Sequence, residues 1–173
     1  MLPIPDSARP RPTWAFAALL TGLVLLLVAL PPFVPTQVRA ALYTAFSPVC
    51  HQIDARSFHL DGEAFAVCHR CTGIFAGLVV GTLLWPFARM FDGWLTRRAG
   101  LLLALSLVPA GLDWLLGVAG HWSNTPLSRT ATGAVFGLVA GVYLARGFSL
   151  IGASSVAAPA RTLDLSHPTH PLG

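Results

Sequence analysis

Three cysteines and their neighbouring histidines are the residues of this sequence best suited to chemistry. They fall in two short segments, Cys50-His51 and Cys68-His69-Arg70-Cys71. The spacing of Cys68 and Cys71 is typical of a metal knuckle, and Cys50 supplies a third sulfur. With His51 or His69 as the nitrogen ligand, the set matches the Cys3His shell of zinc, and thiolates also suit iron and copper(I). The spacing therefore predicts one bound metal ion, with zinc favoured.

The same cysteines allow two other functions. A Cys-x-x-Cys pair at the start of a helix is the arrangement used for thiol–disulfide exchange, which would make the protein a membrane oxidoreductase using Cys68 and Cys71. Alternatively, the cysteines form a disulfide or a zinc clip that only holds a loop, in a small transporter or a subunit of a larger complex. The sequence leaves open whether the protein is an enzyme.

A second unusual residue is Asp113, which lies inside an apolar stretch. An aspartate within a membrane helix costs about 2.5–3.5 kcal/mol on insertion scales, so it faces the bundle interior or water. Arg129, Arg56 and Arg70 are the candidate partners. We expect a polar surround of the cysteine site made of Arg56, Arg70, Asp113, Asn124 and Arg129. The alternative is an interfacial aspartate held by water and Arg129, with Ser123-Asn124 as a simple turn.

The composition indicates where these residues lie. Of the 173 residues, 54% are hydrophobic and 10% are charged, against about 25% charged in a soluble domain. This excludes an ordinary soluble globule, a disordered chain and a nucleic-acid binder, and it indicates a polytopic protein of the lipid bilayer. Spanning helices need about 20 apolar residues, and four stretches qualify: 14–33, 72–91, 100–120 and 130–150.

These stretches predict an all-α membrane domain over residues 14–150, with four transmembrane helices in two hairpins. The loop 34–71, which carries the Cys/His cluster, is too polar to span, and Thr36–Phe46 is expected to form a short interfacial helix. Residues 1–13 are expected to form a cytoplasmic segment. Residues 151–173 are expected to be a disordered tail.

Arginine counting predicts the orientation, since the chain contains no lysine. Seven arginines fall on one side of the four stretches and four on the other. The richer side should be cytoplasmic, which places both termini inside and the Cys/His loop outside the cell (inner) membrane. A rival interpretation makes the first stretch a secretory signal cleaved after Ala40, and it leaves the loop outside as well.

Two segments echo each other, residues 72–81 and 132–141, with glycine at every fourth position of both. Glycine lets helix backbones approach closely. We therefore expect these two faces to pack at the bundle centre, in tandem hairpins related by an axis along the membrane normal. The same faces are candidates for self-association or for contact with other membrane proteins.

The motifs also resemble a known family, small uncharacterised prokaryotic integral membrane proteins with domain of unknown function 2085. The resemblance covers residues 46–141 and is carried by Cys50-His51-Gln52, Arg56-Ser57-Phe58, Gly62, Cys68, Arg70-Cys71-Thr72-Gly73, Asp113, Ser123-Asn124, Arg129 and Thr132-Gly133. It implies a multi-helix membrane protein and no established activity. Because His51 belongs to the family pattern and His69 falls where other residues are allowed, the resemblance favours His51 as the metal ligand.

Overall fold

The computed structural model describes residues 13–121 and 123–156, with side chains as far as residue 151. Six α-helices, three single-turn 3₁₀ helices and one β-hairpin make up this part of the chain. In chain order the α-helices and strands are α1 (Thr13–Ala29), α2 (Thr36–Phe46), β1 (Ser57–Leu60), β2 (Glu63–Cys68), α3 (His69–Ala88), α4 (Asp92–Arg97), α5 (Ala99–Val118) and α6 (Pro126–Val156).

Three helical segments in the described ranges are long and apolar enough to cross a membrane: His69–Arg97, Ala99–Val118 and Pro126–Ile151. The predicted first span is shorter than expected. Helix α1 has 17 residues, which rise about 25 Å, against a hydrocarbon core of about 30 Å. It ends at Ala29 because Pro31 and Pro32 begin a separate 3₁₀ turn. The prediction of four spans is therefore confirmed for three of them.

Helices α3 and α6 form the closest helix pair, and their glycines are the reason. A Cβ atom on Gly73, Gly77 or Gly81 would collide with backbone of α6, at Thr130, Ala134 and Leu138 respectively. Reciprocally, Gly133, Gly137 and Gly141 lie against the α3 backbone at Arg70, Ile74 and Leu78. The two helices run parallel, and equivalent glycines of the repeat make equivalent contacts. The predicted packing of the two faces is thus confirmed.

This packing corrects one expectation. Because the two glycine faces cover each other within one chain, they are not exposed for self-association or for contact with other membrane proteins. A further difference concerns the fourth span, since α6 begins at Pro126 and continues to Val156. Residues 151–156 of the expected tail are therefore helical, and the remainder of the tail, like residues 1–12, lies outside the described residues.

A β-hairpin interrupts the expected all-α fold. Strands β1 and β2 pair antiparallel, with Leu60 opposite Glu63 and Ser57 opposite Cys68. The connecting residues Asp61 and Gly62 both have positive φ, 51° and 82°, as a two-residue hairpin turn requires. The Asp-Gly pair is the sequence signal that could have predicted this hairpin.

Helix α2 spans the predicted residues and is fastened to the hairpin. The Tyr43 hydroxyl donates a 2.7 Å hydrogen bond to the carbonyl of Ala64, and Arg39 forms an ion pair with Glu63. The segment that leaves α2 carries Cys50, so these contacts hold Cys50 beside the end of β2.

Candidate metal centre

Three different elements bring the cysteines together. Cys50 follows α2, Cys68 ends β2 and caps α3, and Cys71 lies in the first turn of α3. Their sulfur atoms all lie within 4.8 Å of one another, and all three cysteines are free. The hairpin explains the convergence, because it returns the chain from Cys50 to the start of α3.

Backbone N–H groups surround the Cys50 sulfur, which is buried with 5% of the residue exposed. The sulfur accepts hydrogen bonds from the backbone of Cys68 at 3.2 Å and of Gln52 at 3.4 Å. Donors of this kind stabilise the negative charge of a thiolate, which is the form that binds metal.

Gln52 holds this turn and was not singled out as a functional residue from the sequence. Its backbone has a positive φ of 49°. Its side-chain amide donates to the carbonyls of Tyr43 at 2.8 Å and Ala66 at 2.9 Å, which ties α2 to β2. The signal was its place in the Cys50-His51-Gln52 motif.

The pKa of the Cys68 thiol is lowered by the groups around it. Its pKa is lowered to about 4, chiefly by a side-chain hydrogen bond from Cys71. Burial opposes the shift, while backbone N–H groups of Cys71 and Arg70 and the thiol of Cys50 add to it. The hydrogen bonds around Cys68 therefore favour the thiolate form of this cysteine.

Neither candidate histidine has a ring nitrogen in the sulfur cluster. His51 is exposed and lines the cavity beside the sulfurs. His69 is buried, with its ring 4.4 Å from that of Phe58. Its Nδ1 has no hydrogen-bond partner among the described residues. His51 therefore lies beside the sulfur cluster but outside it, and its role as a metal ligand stays a prediction.

The polar surround is assembled around Asp113, which is 7% exposed. Of the three arginines considered, Arg70 is its partner, with 2.6 Å between Nη2 and Oδ2. Asn124 donates to the same carboxylate oxygen at 2.8 Å and to the backbone carbonyl of Asp113 at 2.7 Å. The alternative that Asn124 only forms a turn is therefore wrong. Gly117 leaves the room for Asn124, because a Cβ there would collide with its amide.

A cavity of about 430 Å³ adjoins the cysteines. Besides the three cysteines, its lining includes His51, Arg56, Arg70, Trp114 and Arg129. The predicted metal ligands and the predicted arginines therefore share one opening. Asn124 and Arg129 also line a second cavity of about 350 Å³.

The apolar helices and this site define a polytopic membrane protein with a cysteine cluster at one end of its helix bundle. Comparison with known families gives the same class. Residues 50–143, more than half of the chain, match the family described as predicted membrane protein (DUF2085). The chain belongs to that family.

Two curated relatives are archaeal proteins described as uncharacterized. One, from Methanocaldococcus jannaschii, is 31% identical over 107 residues, covering 62% of this chain and 68% of the relative. The other, from Methanothermobacter thermautotrophicus, is 32% identical over 93 residues, covering 54% and 81%. No solved structure matches the chain.

Proposed function

We propose that this membrane protein binds a metal ion through the sulfurs of Cys50, Cys68 and Cys71. The observation that carries the proposal is the convergence of the three sulfur atoms within 4.8 Å from three separate elements. Two backbone N–H groups directed at the Cys50 sulfur and the acidity of Cys68 suit a thiolate ligand set. Zinc fits this donor set best, because it takes cysteine and histidine ligands in a tetrahedral shell.

The fourth ligand separates a structural site from a catalytic one. His51 is the protein candidate, since it lines the same cavity as the three sulfurs. Without a fourth protein ligand, the remaining position belongs to water or a substrate, which is the mark of a catalytic zinc site. The cavity beside the sulfurs supports a ligand arriving from outside the protein.

The proposed setting is the cell (inner) membrane with the cysteine site outward and both termini cytoplasmic, following the arginine distribution. Helix α1 then serves as the fourth span. The parallel packing of α3 and α6 supports α5 as the single crossing between them, because two parallel spans need an odd number of crossings between them.

Metal content of the detergent-purified full chain tests the proposal. We expect about one zinc ion per chain, lost in Cys50→Ser, Cys68→Ser and Cys71→Ser. His59→Ala is the matched control, because His59 is exposed and bonds Asp54 rather than the cluster. Retention of metal in His51→Ala would assign the fourth position to an external ligand. A metal-free wild-type protein that also takes up no added zinc would overturn the proposal.

A second candidate function is thiol–disulfide exchange, favoured by the free state and proximity of Cys68 and Cys71. A substrate thiolate would attack the Cys68 sulfur of a Cys68–Cys71 disulfide and release the Cys71 thiolate, and a second substrate thiolate would then displace Cys68 as the substrate disulfide forms. A quinone would restore the Cys68–Cys71 disulfide by accepting two electrons and two protons from the enzyme dithiol, which converts it to the hydroquinone. This function is favoured over metal binding if the purified protein contains no zinc and its thiols exchange electrons with a quinone.

A further inference from the structure

Positive charge without a matching carboxylate collects beside the cysteines. The side chains of Arg56, Arg70 and Arg129 line both cavities at this end of the bundle, together with Trp114. Because the two cavities share these four residues, they adjoin each other. Their volumes, about 430 and 350 Å³, exceed what one ordered water needs.

The charges in this region do not balance. Asp113 is the carboxylate that faces the group, and its partners are Arg70 and the uncharged amide of Asn124. Within the described ranges, the guanidinium groups of Arg56 and Arg129 have no hydrogen-bond or ion-pair partner. Arg70 itself keeps a buried Nε without an acceptor among the described residues.

The backbone adds to the positive potential. Helices α3 and α6 run parallel and both begin at this end, so the positive ends of both dipoles point toward the same region. Arg70 lies in the first turn of α3, and Arg129 in the first turn of α6. Guanidinium groups present paired donors that match the oxygens of phosphate-like anions.

We propose that Arg56, Arg70 and Arg129 form a binding site for a tetrahedral oxyanion of the phosphate class. The phosphate is either free in solution or carried on a lipid headgroup. This site uses none of the cysteine ligands, so it does not depend on the proposed metal.

The test uses the full chain in nanodiscs of phosphatidylcholine, titrated with inorganic phosphate by calorimetry. We expect saturable binding that weakens with added salt. Arg56→Gln and Arg129→Gln should each weaken it about tenfold or more, the size of a charged hydrogen bond. Arg97→Gln is the control, because Arg97 is exposed on α4, at the opposite end of α3.

Lipid binding is the second arm. Phosphatidylglycerol is added to the nanodiscs, and lipids retained by the protein are counted by native mass spectrometry. Phosphate binding in neutral discs assigns a free anion. Retention of phosphatidylglycerol without phosphate binding, lost in Arg56→Gln and Arg129→Gln, assigns a headgroup. The proposal is overturned if the wild-type protein binds neither phosphate nor phosphatidylglycerol. It is also overturned if Arg56→Gln and Arg129→Gln bind these ligands as strongly as the wild type does.

Failure of the phosphate proposal can be distinguished from failure of the metal proposal. Because the arginines are not sulfur ligands, Cys50→Ser should lose metal and retain phosphate binding. Arg129→Gln should retain the metal and weaken phosphate binding. Either site can therefore fail while the other stands.

Discussion

The guanidinium of Arg70 donates a 2.6 Å hydrogen bond to the carboxylate of Asp113. Arg70 stands between the two cysteines of the Cys-x-x-Cys motif, and Asp113 lies 43 residues further on in α5. This ion pair therefore connects the start of α3, where Cys68 and Cys71 lie, to α5, which packs against α6. An aspartate is costly in a membrane helix, and this partner and Asn124 both stabilise Asp113 here.

Breaking this ion pair should destabilise the protein strongly. Asp113→Ala leaves Arg70 with an uncompensated charge, which costs about 3–5 kcal/mol at a buried pair. Asp92→Ala is the matched control, because the Arg146–Asp92 pair has the same chemistry with 44% of the aspartate side chain exposed, and exposed pairs contribute about 0–1 kcal/mol. Thermal unfolding in detergent measures both. If the unfolding temperature falls equally in the two variants, the burial of Asp113 does not strengthen its ion pair.

The glycine contact between α3 and α6 should tolerate no added methyl group. Gly137→Ala places a Cβ against the backbone of Ile74, and overpacking of this kind costs about 1–3 kcal/mol. Gly111→Ala is the control, because nothing lies within 4 Å of the Cβ it would add to α5. Unfolding temperatures should fall for the first variant only, and a stabilised Gly137→Ala would contradict the packing.

Gln52 should control the metal site without binding the metal. Gln52→Ala removes two hydrogen bonds that hold the turn after Cys50. Loss of such support around a ligand weakens metal affinity about 10–100-fold. Competition with a chromogenic chelator measures it, and Gln37→Ala, an exposed position on α2, should match the wild type. Unchanged affinity in Gln52→Ala would remove Gln52 from the site.

Alkylation of Cys68 in metal-free protein should show the lowered pKa. The rate at Cys68, followed by peptide mass spectrometry, should stay constant through the neutral range and fall only as the pH approaches about 4. Cys71→Ala removes the main hydrogen-bond donor and should move this midpoint upward. Gly111→Ala is the control and should leave the pH midpoint unchanged. A midpoint near the ordinary thiol pKa of about 8.5 in the wild-type protein would contradict the hydrogen bonds around Cys68.

The same shift sets the direction of a stability change. Since the folded pKa lies below the unfolded one, the thiolate of Cys68 stabilises the folded state fully above the unfolded pKa. That contribution is lost as the pH falls from about 8.5 toward about 4. In the metal-free protein, the unfolding temperature of wild type relative to Cys68→Ser should therefore fall across this range. A difference that grows on acidification would have the wrong sign.

Several features follow from the sequence alone. Apolar runs of about 20 residues determine the three helices that are long and apolar enough to span a membrane, because a helix satisfies its own backbone in lipid. The glycines at every fourth position of 72–81 and 132–141 predict a close helix pair, since only glycine admits backbone contact of this kind. The two-residue spacing of Cys68 and Cys71 likewise predicts two neighbouring sulfurs.

Other features were decided by the tertiary structure. Three arginines were equally available to Asp113 from their sequence positions, and the packing of both α3 and α5 against α6 brings Arg70 within reach of it. The place of Cys50 beside Cys68 depends on the hairpin and on Gln52, whose hydrogen bonds join segments separated by 9 and 14 residues. Periodicity and composition describe one segment at a time, whereas these pairings depend on distances between segments, which only the packed chain sets.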